Sequence, residues 1–326
     1  MKKRVLGHSG YAVSEVGLGC WQLGNDFGAI ENKTAEDILD AGMHNGINFL
    51  DTADVYGAGL SETRIGNWLK KQTKKPYIAS KVGRDAALFP DGYSFEKVKA
   101  NIEGSLKRLD IDALDLLQLH CIPRDVLFDG EIFNWLQSLQ QTGLIRHYGA
   151  SVEMLDEALF CLEHTKVTSL QIIFNVFRQT ATEQIFPLAK QKNVGVIARL
   201  PLASGLLSGN MQKDRVFEQG DHRNYNQNGD AFHVGETFNG IQFEKGVELA
   251  EQAKQFLPAD LSLQQAAMRW ILDQDAVTTL IAGCTKVSQV YANAAISNMP
   301  SLAPTLDQRL QDYYKNTVRQ HIRGGI

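Results

Sequence analysis

The chain has 326 residues, and its 33 lysines and arginines stand against 37 aspartates and glutamates, which gives a formal net charge of −4. This balance argues against nucleic-acid binding, which normally needs a basic surface, so we expect no nucleic-acid partner. Hydrophobic residues make up 44% of the chain and prolines number only 8, a composition that excludes disordered and low-complexity proteins.

The lack of long apolar segments and the spacing of the cysteines both bear on where the protein is located in the cell. No apolar segment follows the basic start Met1–Arg4, so we expect no secretory signal. No stretch of about 18 apolar residues exists, so we expect no membrane span. The four cysteines form no C-x-x-C pair, which suits a reducing compartment. We therefore expect a cytoplasmic protein.

Short apolar runs alternate with helical patterns along the chain. Residues 3–13 are predicted to form a hairpin with His8-Ser9-Gly10 as its turn. Buried strands are then predicted at residues 15–19, 47–50, 77–80, 114–119, 145–149, 169–174, 194–200 and 278–282. Helices are predicted to open near Thr34 and Ser61 and to cover residues 94–109, 130–141, 152–164, 182–192, 263–272 and 287–296.

Eight repeats of strand followed by helix predict a (β/α)8 TIM barrel, formed by one domain over residues 1–326. We expect the hairpin to cap this barrel and extra helices to follow it at the C-terminal end. A doubly wound sheet is the alternative, but no Gly-x-Gly-x-x-Gly follows any predicted strand. Residues 205–245 form a long predicted loop, and loops of that length are usually functional lids or disordered insertions.

Polar residues stand where the predicted strands end. Asp51, Lys81 and His120 end strands two, three and four of the barrel. Taken singly, each has a structural explanation: a turn cap, a lysine at the barrel rim and a buried core histidine. The carboxyl ends of barrel strands meet on the face that holds the active site, so we expect the three side chains to lie together. Asp51 would then supply the counter-ion that a buried lysine needs.

The segment Leu50–Gly57, which reads LDTADVYG and is followed by Ser61-Glu62, resembles the signature of the aldo-keto reductase family. Lys81 and His120 match two further landmarks of that family, and the resemblance runs from about residue 3 to about residue 297. It implies a barrel that reduces a small carbonyl substrate with a nicotinamide nucleotide. It also implies a catalytic tetrad of Asp51, Tyr56, Lys81 and His120.

The chemistry of carbonyl reduction agrees with this tetrad. A tyrosine near pKa 10 is a poor acid at neutral pH unless its pKa is perturbed. We expect the Lys81 ammonium group to lower the pKa of Tyr56, and Asp51 to keep Lys81 charged. His120 can donate a hydrogen bond to the substrate oxygen.

The resemblance extends to four segments at the barrel mouth that would bind the cofactor, and one of them is the adenosine-binding stretch Ile281–Lys286 with Gln289 and Asn293. Gly17–Trp21 resembles the end of strand one, and Gly149–Ser151 resembles a carboxamide-binding segment in which Val152 replaces an asparagine. Arg199–Gly209 resembles the pyrophosphate loop, with Arg199 where the family usually has a stacking aromatic residue. The implied cofactor contacts are Gly19, Cys20, Trp21, Asp51, Ser151, Gln171, Arg199, Pro201, Leu202, Ser204, Gly205, Leu206, Gly283, Thr285, Lys286, Gln289 and Asn293.

The cofactor itself is expected to be NADP(H) rather than NAD(H). The resemblance places Thr285, Lys286 and Gln289 around the 2′-phosphate at the start of a helix, whose free N–H groups favour an anion. Lys286 is the one formal cation among them, so the expected preference is modest.

Two alternative functions are compatible with parts of the sequence pattern. A regulatory subunit that binds the cofactor without turnover is the alternative within the same fold. A metal-assisted hydrolase would use Asp51, His120 and His222, but no two histidines have the spacing of metal ligands, so no metal site is expected. We expect no membrane partner and a monomer.

Overall fold

The computed structural model describes residues 1–325 and begins with an antiparallel hairpin of β1 (Lys3–Val5) and β2 (Ala12–Ser14). A short turn over Gly7–Ser9 joins the two strands, as the sequence predicts. Gly7 has a φ of +50° and lies so close to the backbone of Thr168 and Gly195 that a Cβ would collide with both. The hairpin therefore packs against the amino-terminal ends of barrel strands.

Eight parallel strands follow and close into a barrel. They are β3 (Val16–Gly19), β4 (Phe49–Asp51), β5 (Tyr77–Val82), β6 (Leu114–His120), β7 (Ile145–Ser151), β8 (Ser169–Ile173), β9 (Gly195–Arg199) and β10 (Val277–Gly283). The last strand pairs with the first through the register Leu280–Val16 to Gly283–Gly19, so the sheet has no open edge. This closure confirms the predicted barrel and excludes the doubly wound alternative.

The helices pack around the outside of the strands. They are α1 (Asn32–His44), α2 (Leu60–Leu69), α3 (Phe95–Leu109), α4 (Arg124–Asp129), α5 (Glu131–Gln141), α6 (Leu155–His164), α7 (Ile185–Gln191), α8 (His222–Tyr225), α9 (Phe243–Lys254), α10 (Leu263–Leu272), α11 (Val287–Ala295) and α12 (Pro304–Tyr313). In α3, the Ser94 hydroxyl caps the amino end by accepting a hydrogen bond from the Lys97 N–H. No helix within residues 1–325 is long and apolar enough to cross a bilayer.

Some elements differ from the sequence prediction. Helix α1 begins at Asn32, two residues before the predicted cap, and Glu31 precedes it without a side-chain cap. Helices α4, α8 and α9 were not predicted, and the segment 205–245 contains α8 and several short turns. Helix α12 follows the barrel at the predicted place for an extra C-terminal helix.

The barrel interior contains a small apolar core that the hairpin helps to build. Leu6 and Val13 of the hairpin are fully buried in one cluster with Phe49, Leu116 and Ile197 of the strands. A much larger apolar cluster lies between the strands and the helices. The hairpin thus fills the amino-terminal end of the barrel and leaves the carboxyl end for the site.

Candidate active site

The Lys81 ammonium group contacts two other predicted catalytic residues at the carboxyl ends of β4 and β5. Its Nζ donates to Asp51 Oδ2 at 2.5 Å, to the Thr52 carbonyl at 2.8 Å and to Tyr56 Oη at 3.1 Å. Lys81 and Asp51 are each only 1% exposed. A buried ammonium needs a paired carboxylate, and neighbouring parallel strands provide it here.

Tyr56 lies on the loop after β4, and the connection between β3 and α1 holds it in place. The next residue, Gly57, has a φ of +57°, and a Cβ there would collide with the carbonyl oxygen of Gly24. Its N–H donates to Asp26 Oδ2 at 3.1 Å. Trp21 stacks on the Tyr56 ring with a centroid distance of 5.6 Å and an angle of 18°. The phenol is therefore fixed between Trp21 and Lys81.

The pKa of Tyr56 reflects two opposing effects. Burial raises the pKa of Tyr56 to about 12, and the Lys81 charge and its hydrogen bond lower it only partly. Lys81 acts in the expected direction, but removing the phenol from water outweighs this one nearby cation. The phenol is protonated at neutral pH.

His120, the last residue of β6, lies beside the phenol. Its ring centroid is 5.8 Å from that of Tyr56, and the two rings meet edge to face at 85°. Burial and the positive charges of Arg84 and Lys81 hold the pKa of His120 well below its usual value, so the imidazole is neutral at neutral pH. Its Nδ1 has no hydrogen-bond partner within residues 1–325. A neutral imidazole can donate one hydrogen bond, as the expected role requires.

Two glutamines orient Asp51 from the side opposite Lys81. Asp51 Oδ1 accepts from Gln171 Nε2 at 2.8 Å and from Gln118 Nε2 at 3.4 Å, and Ser151 Oγ donates to Gln171 Oε1 at 3.5 Å. Ser151 and Gln171 were predicted from the resemblance, whereas Gln118 was missed. A signal for Gln118 existed, because it lies two residues before His120 and so on the same face of β6.

A cavity of about 610 Å³ opens from this cluster across the carboxyl ends of the strands. Every predicted cofactor contact lines it except Leu206, whose side chain is fully buried against Gly246 in the apolar core. Leu206 therefore does not present its side chain to a ligand. Lining residues that the sequence analysis missed are Gln22, Phe27, Asn210, Met211, Arg215, Arg223, Glu236 and Gln264.

Arg199, at the end of β9, is held on two sides within the cavity wall. Its Nη1 donates to Glu236 Oε2 at 3.1 Å, and its Nη2 donates to the Val152 carbonyl at 3.3 Å and to Cys121 Sγ at 3.6 Å. Glu236 also accepts from Arg84 Nη2 at 2.5 Å. The sequence predicted Arg199 but gave no sign of Glu236, which lies in an irregular stretch of the long loop.

At the far end of the cavity, the start of α11 differs from expectation. Gln289 Oε1 accepts from the backbone N–H of Thr285 at 2.8 Å and from that of Lys286 at 3.1 Å. These two N–H groups, which precede α11, are thus already paired with a side chain of its first turn. Lys286 is exposed, so solvent and salt screen its charge.

The residues of the hydrolase alternative do not form a ligand set. His222 is fully buried under Trp21 at a ring distance of 4.5 Å, and both of its ring nitrogens lack a partner within residues 1–325. In the described chain, the potential ligand atoms within 4.8 Å of one another belong to Cys121, Glu153 and Glu236. Arginine side chains already occupy oxygen atoms of both glutamates.

With this geometry in place, comparison with known proteins identifies the family. The sequence profile of the Aldo/keto reductase family matches residues 15–306, and the chain belongs to this family. It is 30% identical over 322 residues to the uncharacterized oxidoreductase YqkF of Bacillus subtilis (strain 168), covering 98% of each chain.

Two further proteins bear on the fold and the cofactor. The holo form of aldo-keto reductase AKR11C1 from Bacillus halodurans superposes with a TM-score of 0.78 at 30% identity, over 99% of this chain and 100% of that one. The NADH-specific methylglyoxal reductase of Escherichia coli (strain K12) is 27% identical, over 92% of this chain and 94% of its own. The chain is therefore an oxidoreductase of a family that uses nicotinamide cofactors.

Proposed function

We propose that the protein catalyses reversible hydride transfer between a nicotinamide nucleotide and a small carbonyl compound, reducing aldehydes or ketones to alcohols. The observation that carries the proposal is the buried Lys81 ammonium group, which links the Asp51 carboxylate to the Tyr56 phenol at the cavity wall. This arrangement holds a proton donor and its stabilising charge beside an open space for a substrate.

The cavity fits a nicotinamide nucleotide. Ser151 and Gln171 present a hydroxyl and an amide at its chemical end, where a carboxamide needs partners. At the pyrophosphate loop, Ala203 and Ser204 have φ values of +48° and +55°, which non-glycine residues rarely adopt. Gly205 follows with a φ of +101°. When bound, the cofactor supplies or accepts the hydride.

The protein residues then have separate roles in handling the proton. Tyr56 gives its proton to the oxygen that gains negative charge as the hydride reaches the carbonyl carbon. Lys81 stabilises the phenolate that remains, and Asp51 keeps Lys81 charged and oriented. His120 donates a hydrogen bond to the carbonyl oxygen, which polarises the substrate and places it beside Tyr56.

We further propose a modest preference for NADPH over NADH. Lys286 lines the cavity and supplies a positive charge for the 2′-phosphate. Its exposure and the pairing of the neighbouring N–H groups with Gln289 argue for a preference of only about tenfold in affinity.

The experiment that tests the function follows the consumption of NADPH with 4-nitrobenzaldehyde, using wild type and Tyr56→Phe. We expect turnover by wild type and a loss of roughly a hundredfold or more in the variant, because general-acid catalysis contributes in that range. Binding of NADPH should be nearly unchanged in Tyr56→Phe.

Three outcomes would contradict parts of the proposal. Turnover of Tyr56→Phe within a few-fold of wild type removes Tyr56 from the role of acid. Binding of NADPH without turnover of any carbonyl in a substrate panel favours the regulatory subunit. Loss of wild-type activity on chelation favours metal-assisted chemistry.

A further inference from the structure

A cluster of buried and half-buried charged side chains lies around Arg199 at the chemical end of the cavity. It comprises Arg84, Arg178, Arg199, Glu153 and Glu236, and we call it the arginine cluster. Glu236 pairs with Arg199 at 3.1 Å and with Arg84 at 2.5 Å, and Glu153 accepts from Arg84 at 2.9 Å. Arg178 Nη2 donates to the Glu153 carbonyl at 3.1 Å. Arg178, Arg199 and Glu236 are 3%, 8% and 4% exposed.

The charges of the arginine cluster do not cancel. Within residues 1–325, the cluster has three guanidinium groups and two carboxylates, so at least one positive charge is left over there. Burial and the neighbouring Glu236 carboxylate raise the pKa of Glu153 to about 9, which adds to this surplus. Within residues 1–325, Arg199 Nε and Arg178 Nη1 are buried without any hydrogen-bond partner. The unpaired donors agree with an excess of cations.

The surplus lies where the redox change of the cofactor takes place. A hydride can reach a carbonyl held by Tyr56 and His120 only from a nicotinamide ring at the same end of the cavity. Arg199 lines that end, since its Nη2 contacts Cys121, the residue after His120, and the carbonyl of Val152, the residue after Ser151. The Lys81–Asp51 pair nearby adds no net charge.

The two redox states of the cofactor differ in the charge of this ring. Reduced nicotinamide is neutral, and loss of the hydride leaves a pyridinium cation. A buried positive charge repels the pyridinium and leaves the neutral ring unaffected. We propose, building on the proposed function, that Arg199 within the arginine cluster makes the site bind the reduced cofactor more tightly than the oxidised cofactor. Arg199 is thus a residue that selects the redox state.

The expected size follows from the strength of charge interactions in a buried site. At an effective dielectric constant of about 20, two unit charges in contact interact strongly enough to change the affinity for a charged ligand. The Glu236 carboxylate shields part of the Arg199 charge. We expect reduced cofactor to bind roughly ten- to a hundredfold more tightly than oxidised cofactor. For a two-electron couple this ratio raises the reduction potential of the bound cofactor by roughly 30 to 60 mV.

The test measures dissociation constants of NADPH and NADP⁺ for the full chain by calorimetry, and repeats them with NADH and NAD⁺. The affinity ratio of reduced to oxidised form should be the same for both pairs, because the arginine cluster lies at the nicotinamide end. Arg199→Gln should lower this ratio by about tenfold, and Arg199→Lys should retain most of it. Glu236→Gln should raise the ratio, since it removes a shielding carboxylate.

A matched control separates charge from structural damage. Lys286→Ala, at the other end of the cavity, should weaken NADPH and NADP⁺ by the same factor and leave their ratio unchanged. Equal binding of both forms by wild type would overturn the inference without any variant, as would equal changes of both affinities in Arg199→Gln. Failure of every nicotinamide nucleotide to bind would instead refute the proposed function.

Discussion

The buried phenol of Tyr56 has opposite consequences for the two directions of the reaction. Reduction needs the protonated phenol, and oxidation of an alcohol needs the phenolate. Because burial raises the pKa of Tyr56 to about 12, the protonated form prevails across the neutral range. We expect kcat/KM for reduction to stay flat between about pH 6 and pH 9 with respect to this group. For oxidation, kcat/KM should rise about tenfold per pH unit over the same range.

Steady-state kinetics in both directions over this pH range check the expectation. His120 should add no inflection near its ordinary pKa, because burial keeps the pKa of its imidazole well below that value. A reduction profile that falls with a pKa near 7 would contradict a buried, protonated Tyr56 as the acid.

A single exposed lysine is expected to determine the choice between the two nucleotides. Lys286→Ala should lower the affinity for NADPH by about tenfold and leave the affinity for NADH unchanged, since only NADPH has the 2′-phosphate. The preference should shrink as salt is added, because the side chain is exposed. Dissociation constants for both nucleotides at two salt concentrations provide the measurement.

Lys74→Ala is the matched control for this variant, because Lys74 is also exposed but lies in the loop between α2 and β5, outside the cavity. It should leave both affinities unchanged. If wild type binds NADH as tightly as NADPH, the assignment of the adenosine end is wrong.

Single site residues could be predicted where a local sequence pattern marks them. Asp51, Lys81 and His120 each end an apolar run, so the barrel itself brings them together. Glu236 and Arg84 pair across 152 positions of sequence, and no local pattern records such a contact. The lowered pKa of His120 and the raised pKa of Tyr56 depend on burial, which the sequence shows only coarsely.

At the scale of elements, the segment 205–245 contributes several cavity residues from both of its ends. Gly205 and Met211 line the cavity near its beginning, and Glu236 lines it near its end. Between them, Arg215 is exposed and also lines the cavity. We expect part of this segment to close over bound pyrophosphate and to slow release of the nucleotide, a step that often limits kcat.

Limited digestion with trypsin tests this closure, because Lys213 and Arg215 are exposed cleavage sites within the segment. Saturating NADPH should slow cleavage at these two positions. Cleavage at exposed Lys74, in a loop outside the cavity, serves as the internal reference and should proceed at the same rate with and without cofactor. Equal cutting of the segment in both states counts against closure.

The elements that the sequence analysis missed have different causes. Helix α9 buries Gly246, Val247, Leu249, Ala250 and Ala253 at helical spacing, so its pattern is present in the sequence and was overlooked beside the predicted loop 205–245. Helix α4 has only six residues, too few to display a helical period. The strands were easier, since each is an apolar run buried on both faces. The single domain, the monomeric state and the cytoplasmic location stay predictions.

At the scale of the whole molecule, stability and catalysis are assigned to opposite ends of the barrel. The hairpin places Leu6, fully buried, in the interior cluster with Phe49 and Ile197. Leu6 also packs against Gly195 at the beginning of β9, far along the strand from Arg199 at its carboxyl end. Loss of this side chain should therefore destabilise the barrel without altering the site.

Leu6→Ala tests this division. Deleting a buried leucine side chain costs about 2–5 kcal/mol in the free energy of unfolding, because a cavity remains where the side chain packed. Val5→Ala is the matched control, since Val5 is the neighbouring residue but is 59% exposed, and its change should stay within about 0.5 kcal/mol. Urea denaturation followed by tryptophan fluorescence measures both variants against wild type.

Under native conditions, kcat for carbonyl reduction should be unchanged in both variants. A folded Leu6→Ala protein with impaired kcat would show that the hairpin end and the catalytic end are coupled, because packing at one end would then be felt by Tyr56 and Lys81 at the other.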